Sequence, residues 1–171
     1  FAHALADTGS ADMKLAIRGN LRKPGESVPR RFLWALSGDK AVPFTKGSGR
    51  LELADAVVKS NNPLTPRVFV NRVWMHHFGT ALVRTPDNFG VLGQLPTHPE
   101  LLDWLTQDFI EHGWKIKRLH RLIMQSRTYR RRSQHPEYAQ LAAVDPGNQW
   151  LATFPVRRIS AEELRDSTLL V

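Results

Sequence analysis

Cysteine is absent from the 171 residues. That removes disulfides, thiolate metal ligands, a cysteine nucleophile and covalent c-type haem attachment from this chain. It leaves the compartment open, since cytosolic and exported domains alike can lack cysteine. Long apolar runs are also missing, and none approaches the roughly 18 residues that span a bilayer. The opening FAHALADTGSADMK has neither the basic start nor the apolar stretch of a secretory signal. The chain opens on Phe1 and stops at Val171 inside what reads as a helix, so we expect a piece of a longer protein, truncated at its C-terminus.

The compact motifs of common chemistries are absent as well. There is no phosphate-binding G-x-x-x-x-G-K-[ST], no G-x-G-x-x-G, no H-E-x-x-H, no G-x-S-x-G and no EF-hand loop. The seven histidines are scattered. His76 and His77 are adjacent, so on a helix they point about 100° apart and do not chelate one ion from one face. No metal site is expected. No internal repeat or low-complexity segment is visible.

One further absence is local. Between Gly113 and Pro136 there is no acid, and eight cations fall there: Lys115, Lys117, Arg118, Arg121, Arg127, Arg130, Arg131 and Arg132. This segment carries a charge equal to the whole net excess of +8. Such a stripe attracts polyanions, with Lys115, Lys117, Arg118, Arg121 and Arg127 as the candidate contacts. Equally, it is a solvated helix face balanced by acids elsewhere in the parent.

What is present is mostly helical. Residues 1–49 are rich in proline and glycine and read as an extended arm, a connection to an upstream domain. Within it, Met13–Ile17 reads as a short strand ended by Gly19-Asn20, and GNLRKPGESVPRRFL as a solvent-facing connection. A helical domain is expected over 50–171, giving an all-α class with an irregular N-terminal arm and room for one short strand. The first helix covers Arg50 to Lys59 and is broken at Asn61-Asn62-Pro63. Thr65 before Pro66 reads as an N-cap, and that helix runs to Phe78 with Gly79 closing it. Thr80 to Thr97 reads as a long structured loop. Thr97 with Glu100 spells a capping box for a helix ending near His112-Gly113. Another helix covers Lys117 to Arg130, and Ser160 with Glu163 spells a second capping box.

At 100° per residue, Phe69, Val70, Val73, Trp74 and Phe78 occupy about half of the circle, marking a central helix. Asn71 and His77 fall inside or beside that sector, so both are expected to be buried and hydrogen-bonded. In the next helix Leu101, Leu102, Leu105 and Phe109 form the apolar stripe. In the third, Leu119, Leu122, Ile123, Ser126 and Tyr129 face inward.

The residues from Asn61 to Ser133 resemble a planctomycete family, domain of unknown function 1553. The resemblance rests on Asn62-Pro63, Arg67, Asn71-Arg72, Trp74, Phe78-Gly79, Thr85-Pro86-Asp87, Phe89-Gly90, the run from His98 to Leu105, Gly113-Trp114, Lys117, Leu119-His120, Ser126 and Tyr129-Arg130. RGNLRKPGESVPRRF and FPVRRISAEELRDSTL are similar to its flanking segments. The resemblance implies the C-terminal part of a large exported chain that often carries a cytochrome-c-like domain, hence a periplasmic or cell-envelope setting. Its partners would be other domains of the same chain, or an acidic protein or polysaccharide. Haem would belong to another domain, and this segment would hold no cofactor. No catalytic residue carries over.

Three functions therefore stand open. The first is a helical interaction or scaffold module. The second is part of an enzyme site, a hydrolase or oxidoreductase acting on envelope or extracellular polysaccharide, built from Arg67, Asn71, Arg72, Asp87, His98, Glu100 and His120. The third is polyanion or nucleic-acid binding through residues 115–132, with nucleic acid the weakest partner of those named. Convergence of the seven polar residues on one pocket separates the first two.

Overall fold

The computed structural model describes residues 6–7, 9–38, 41–59 and 62–170; the expected helix break at Asn61 and the terminus at Val171 lie outside them. Seven helices and one two-stranded sheet are present among the described residues. None of these helices is long and apolar enough to cross a membrane. The chain divides into two compact units, Phe1–Thr65 and Pro66–Val171.

The first unit is more ordered than its proline and glycine content implies. Strand β1 (Met13–Ala16) has an antiparallel partner, β2 (Pro24–Val28), with Met13 opposite Val28 and Lys14 opposite Ser27. The run read as an open connection is thus the return arm of a hairpin. Pro24 is tolerated because a two-stranded ribbon consists only of edges. A 3-10 turn, Ile17–Gly19, reverses the chain, with Arg18 and Gly19 both at positive φ. Polar ties brace the rest. Arg30 donates to Asp12 at 2.9 Å and to the carbonyls of Gly47 and Ser10. A short helix α1 (Trp34–Ser37) follows, and α2 (Arg50–Val58) closes the unit. The Glu52 carboxylate in the first turn of α2 accepts the backbone N–H groups of Thr45 and Lys46. Gly49 precedes α2 at φ 78, where an added Cβ would lie 2.9 Å from Phe44 Cβ.

The second unit contains the main core. Helix α3 (Leu64–Phe78) starts before the expected Thr65–Pro66 junction. Asn62 rather than Thr65 caps it: its Oδ1 accepts the Leu64 N–H at 3.0 Å, while its Nδ2 donates to Thr65 Oγ1 and the Val57 carbonyl. Val70, Val73, Trp74 and Phe78 of α3 are buried, with Phe69 partly so, as the angular reading expects. Against them pack Leu102, Leu105 and Phe109 of α4 (Pro99–Glu111) and Leu119 and Ile123 of α5 (Ile116–Gln125). Gly79 ends α3 at φ 73. Gly113 and Trp114 end α4 in consecutive left-handed conformations. Trp114 tolerates this strained geometry because its N–H donates to the Phe109 carbonyl and its ring packs 5.1 Å from the Phe109 ring.

Two further expectations fail at helix ends. Thr97 and Glu100 form no capping box; His98 holds the N-cap position of α4 with no side-chain cap bond. Thr97 instead spends its N–H and hydroxyl on the Leu82 carbonyl. Helix α5 stops at Gln125 rather than Arg130. The Ser126 hydroxyl donates to the Ile123 carbonyl and accepts the Tyr129 N–H, which turns the chain out of the helix. Beyond it lie α6 (Tyr138–Val144), flanked by His135-Pro136 and Asp145-Pro146 and not among the expected helices, and α7 (Ala161–Leu169). The second capping box is present at α7, with both reciprocal bonds between Ser160 and Glu163.

Candidate functional site

The segment after α3 begins as core and ends as surface. Ala81, Leu82 and Val83 are buried. Asn71, itself wholly buried on α3, holds them in place. Its Nδ2 donates to the Val83 carbonyl at 3.0 Å and its Oδ1 accepts the Val83 N–H at 2.8 Å. A side-chain amide carries one donor and one acceptor in the spacing of a peptide, so it pairs with backbone as a strand would. The two bonds of Thr97 to Leu82 then close the loop at its base.

Residues 84–96 project from that clamp, and the loop is braced from inside. Thr85 Oγ1 donates to the Asn88 carbonyl at 2.8 Å and accepts the Gln94 N–H at 3.0 Å. Asn88 N–H returns to the Thr85 carbonyl, and Asn88 Oδ1 accepts the Gly90 N–H. Gly93 closes the tip against Gly90, where an added Cβ would lie 2.2 Å from the Asn88 carbonyl oxygen. Phe89 turns inward against the core. Val91, Leu92 and Leu95 turn outward and are 103, 91 and 89 % exposed. The sequence marks the loop by its turn formers; it does not show which apolar side chains point outward.

Four of the seven candidate polar residues take partners outside the set, Arg72 and Asp87 pair with each other, and Glu100 faces water. Arg67 of α3 pairs with Asp103 of α4. Arg72 pairs with Asp87 at 2.7 Å, with both side chains open to water. Asn71 is consumed by Val83. His98 Nδ1 lies 3.0 Å from Thr97 Oγ1. Glu100 is exposed in the first turn of α4, where the helix dipole favours an acid. His120 lies against His77, its Nδ1 2.7 Å from His77 Nε2. The pairing of His77 with His120 spans 43 positions, and no local pattern signals it.

A small cleft of about 60 Å³ opens between Trp74, Leu82, Arg84 and Thr97 on one side and Gly147, Asn148 and Leu151 on the other. None of the seven lines it. It has room for about two water molecules, far below the usual size of a small-molecule site. In the first unit a groove of about 380 Å³ is lined largely by Phe32, Leu36, Val42, Phe44 and Ala56. Among the described residues Lys59 is its one charged lining residue, so these offer no pair of groups for acid–base work. Among the described residues no cluster of three His, Cys, Asp or Glu side chains has the geometry of a metal site.

The basic segment is only partly free. Arg118 is forked onto Asp108, with Nε–Oδ2 at 3.1 Å and Nη2–Oδ1 at 2.7 Å. That guanidinium holds the Asp108 carboxyl below its usual range, with His112 adding a smaller effect in the same direction. Arg131 donates to the carbonyls of Leu151 and Ala152. Lys115, Lys117, Arg121 and Arg127 remain exposed and form no ion pair among the described residues. Lys117 and Arg121 share one face of α5 at an i, i+4 spacing.

No curated protein and no solved structure matches this chain. A family profile matches residues 49–171, which covers α2 through α7 and therefore the braced loop, the histidine pair and the basic face together. The chain belongs to the family described as Protein of unknown function (DUF1553).

Proposed function

We propose that this chain is a helical interaction module of a larger exported, cytochrome-linked multidomain protein of the cell envelope, and that the loop at 84–96 is its point of engagement. One observation carries the reading: three aliphatic side chains stand fully in water on a loop held rigid by its own hydrogen bonds. Single exposed hydrophobic residues are ordinary, whereas a grouped, pre-ordered set marks a contact surface. A braced loop has already lost the conformational entropy that docking would otherwise cost. The loop sits on a clamp of buried bonds, the arrangement by which a scaffold presents a binding segment. The family resemblance supports the exported setting, and the absence of cysteine from this chain supports a covalently held haem carried by another segment of the parent.

The enzyme reading lacks comparable support, because four of its seven residues pair outside the set, Arg72 and Asp87 pair with each other in open water, and Glu100 faces solvent. A secondary reading, weak polyanion contact, is favoured by the four unpaired cations on and around α5. The test of the leading reading is amide exchange of residues 90–96 in this chain alone and in the full-length parent. Protection in the parent, removed by Leu92→Asp, is the expected result. Equally fast exchange of those amides in both proteins would overturn the reading.

A further inference from the structure

We propose that His77 and His120 form a proton-operated clasp between α3 and α5, closed near neutral pH and opened when both rings carry charge. The geometry constrains the protons. Two ring nitrogens 2.7 Å apart cannot present lone pairs to each other, so one N–H lies between them. A neutral pair satisfies this, with one ring donating and the other accepting. A singly charged pair satisfies it too, because an imidazolium on either side still donates to a neutral neighbour. A doubly charged pair cannot, since both facing nitrogens would then carry hydrogen.

The surroundings resist the second charge. His77 is half-buried, and its ring meets Tyr129 edge-on at 5.4 Å, with Tyr129 in turn against Phe78 and Phe154. The other groups facing it are cationic or titrate to cations: His120 on α5, His76 on α3 itself, and Arg157 from the segment before α7. Arg157 is itself engaged by Glu163. Among the described residues the one carboxylate paired with a histidine is Asp108, and its partner is His112. Burial first, and then these neighbours, hold His77 below the ordinary histidine value. A depressed proton affinity in the closed state means that closure is intact above about pH 6.5 and is lost as pH falls below it. The apolar contacts of Leu119 and Ile123 remain, so the event is a local loosening of α5 and the turn at 126–130 rather than global unfolding.

The test is site-resolved amide exchange in α5, corrected for intrinsic rate and referred to α4, at about pH 7.5 and about pH 5. Protection of α5 should fall about tenfold in the wild type. It should not fall in His77→Phe, which keeps a ring but cannot titrate. His120→Gln supplies the same comparison from the other helix where His77→Phe does not fold. Imidazole nitrogen shifts in the wild type form a second, independent readout, with the two rings expected to titrate in separate, coupled steps. A pH-independent α5 in the wild type, an equal fall in the variants, or two rings titrating independently at ordinary values would each overturn the proposal.

Discussion

Asn71 and Val83 show how one side chain decides the path of a loop. Val83 is 2 % exposed, so its N–H and carbonyl have no route to water, and the Asn71 amide answers both. Asn71→Ala removes both partners at once and leaves two buried polar groups unpaired. The expected loss is about 2–4 kcal/mol in chemical denaturation. A loss under about 0.5 kcal/mol would mean that the loop base finds other partners. Asp108 offers a second residue-level prediction. The forked bond from Arg118 depresses its proton affinity in the folded state. Its contribution is therefore fully present above the unfolded value near pH 3.9 and lost as pH falls through the lower folded value. Asp108→Asn should lower the thermal midpoint at neutral pH and flatten its decline between about pH 5 and pH 3. An unaltered acid limb would show that other carboxylates govern it.

At the scale of elements, the helices differ in what holds them. α3, α4 and α5 each bury side chains in a shared core; α3 and α4 end on backbone geometry at Gly79 and Gly113, and α5 on the Ser126 hydroxyl. α7 buries none of its residues. Its start depends on Ser160 Oγ accepting the Glu163 N–H at 3.1 Å and on the Glu163 carboxylate accepting the Ser160 N–H at 2.8 Å. An exposed helix of nine residues is marginal by propensity alone. Ser160→Ala should therefore cost about 1 kcal/mol of local helix stability. The signature is faster exchange and lost helical shifts confined to α7, with the cooperative unfolding midpoint unmoved. A matching drop in the global midpoint would show that α7 is coupled to the core.

At the scale of the whole molecule, ion pairs leave the net charge of +8 unchanged and decide which cations of the segment around α5 stay free. Arg118, Arg67, Arg72 and Arg157 are matched by acids, while Lys115, Lys117, Arg121 and Arg127 are not. Four exposed cations predict weak polyanion contact that falls steeply with salt. On heparin the chain should elute below about 0.5 M salt, and Lys117→Glu with Arg121→Glu should shorten retention further. Retention beyond that concentration would point to a built anion site instead.

The sequence by itself determined the helical class, the inward faces of α3, α4 and α5, the glycine terminators and the second capping box. Each is a local property, set by the 3.6-residue period or by the φ range open to one residue type. It also made Asn71 legible as a buried amide, since a polar residue in an apolar sector must find a partner. Only the tertiary structure decided who that partner is. The same holds for the diversion of Thr97 from its capping box to Leu82, and for the early end of α5 at Ser126. Pro24–Val28 became a strand because Met13–Ala16 lies beside it, a pairing that its own Pro24 and Gly25 do not announce. His77 met His120 because α3 and α5 pack together, and Val91, Leu92 and Leu95 face water because the loop's hydrogen bonds turn Phe89 inward instead. Such contacts join residues far apart in the chain, and their free energy exists only once the core has brought them within reach.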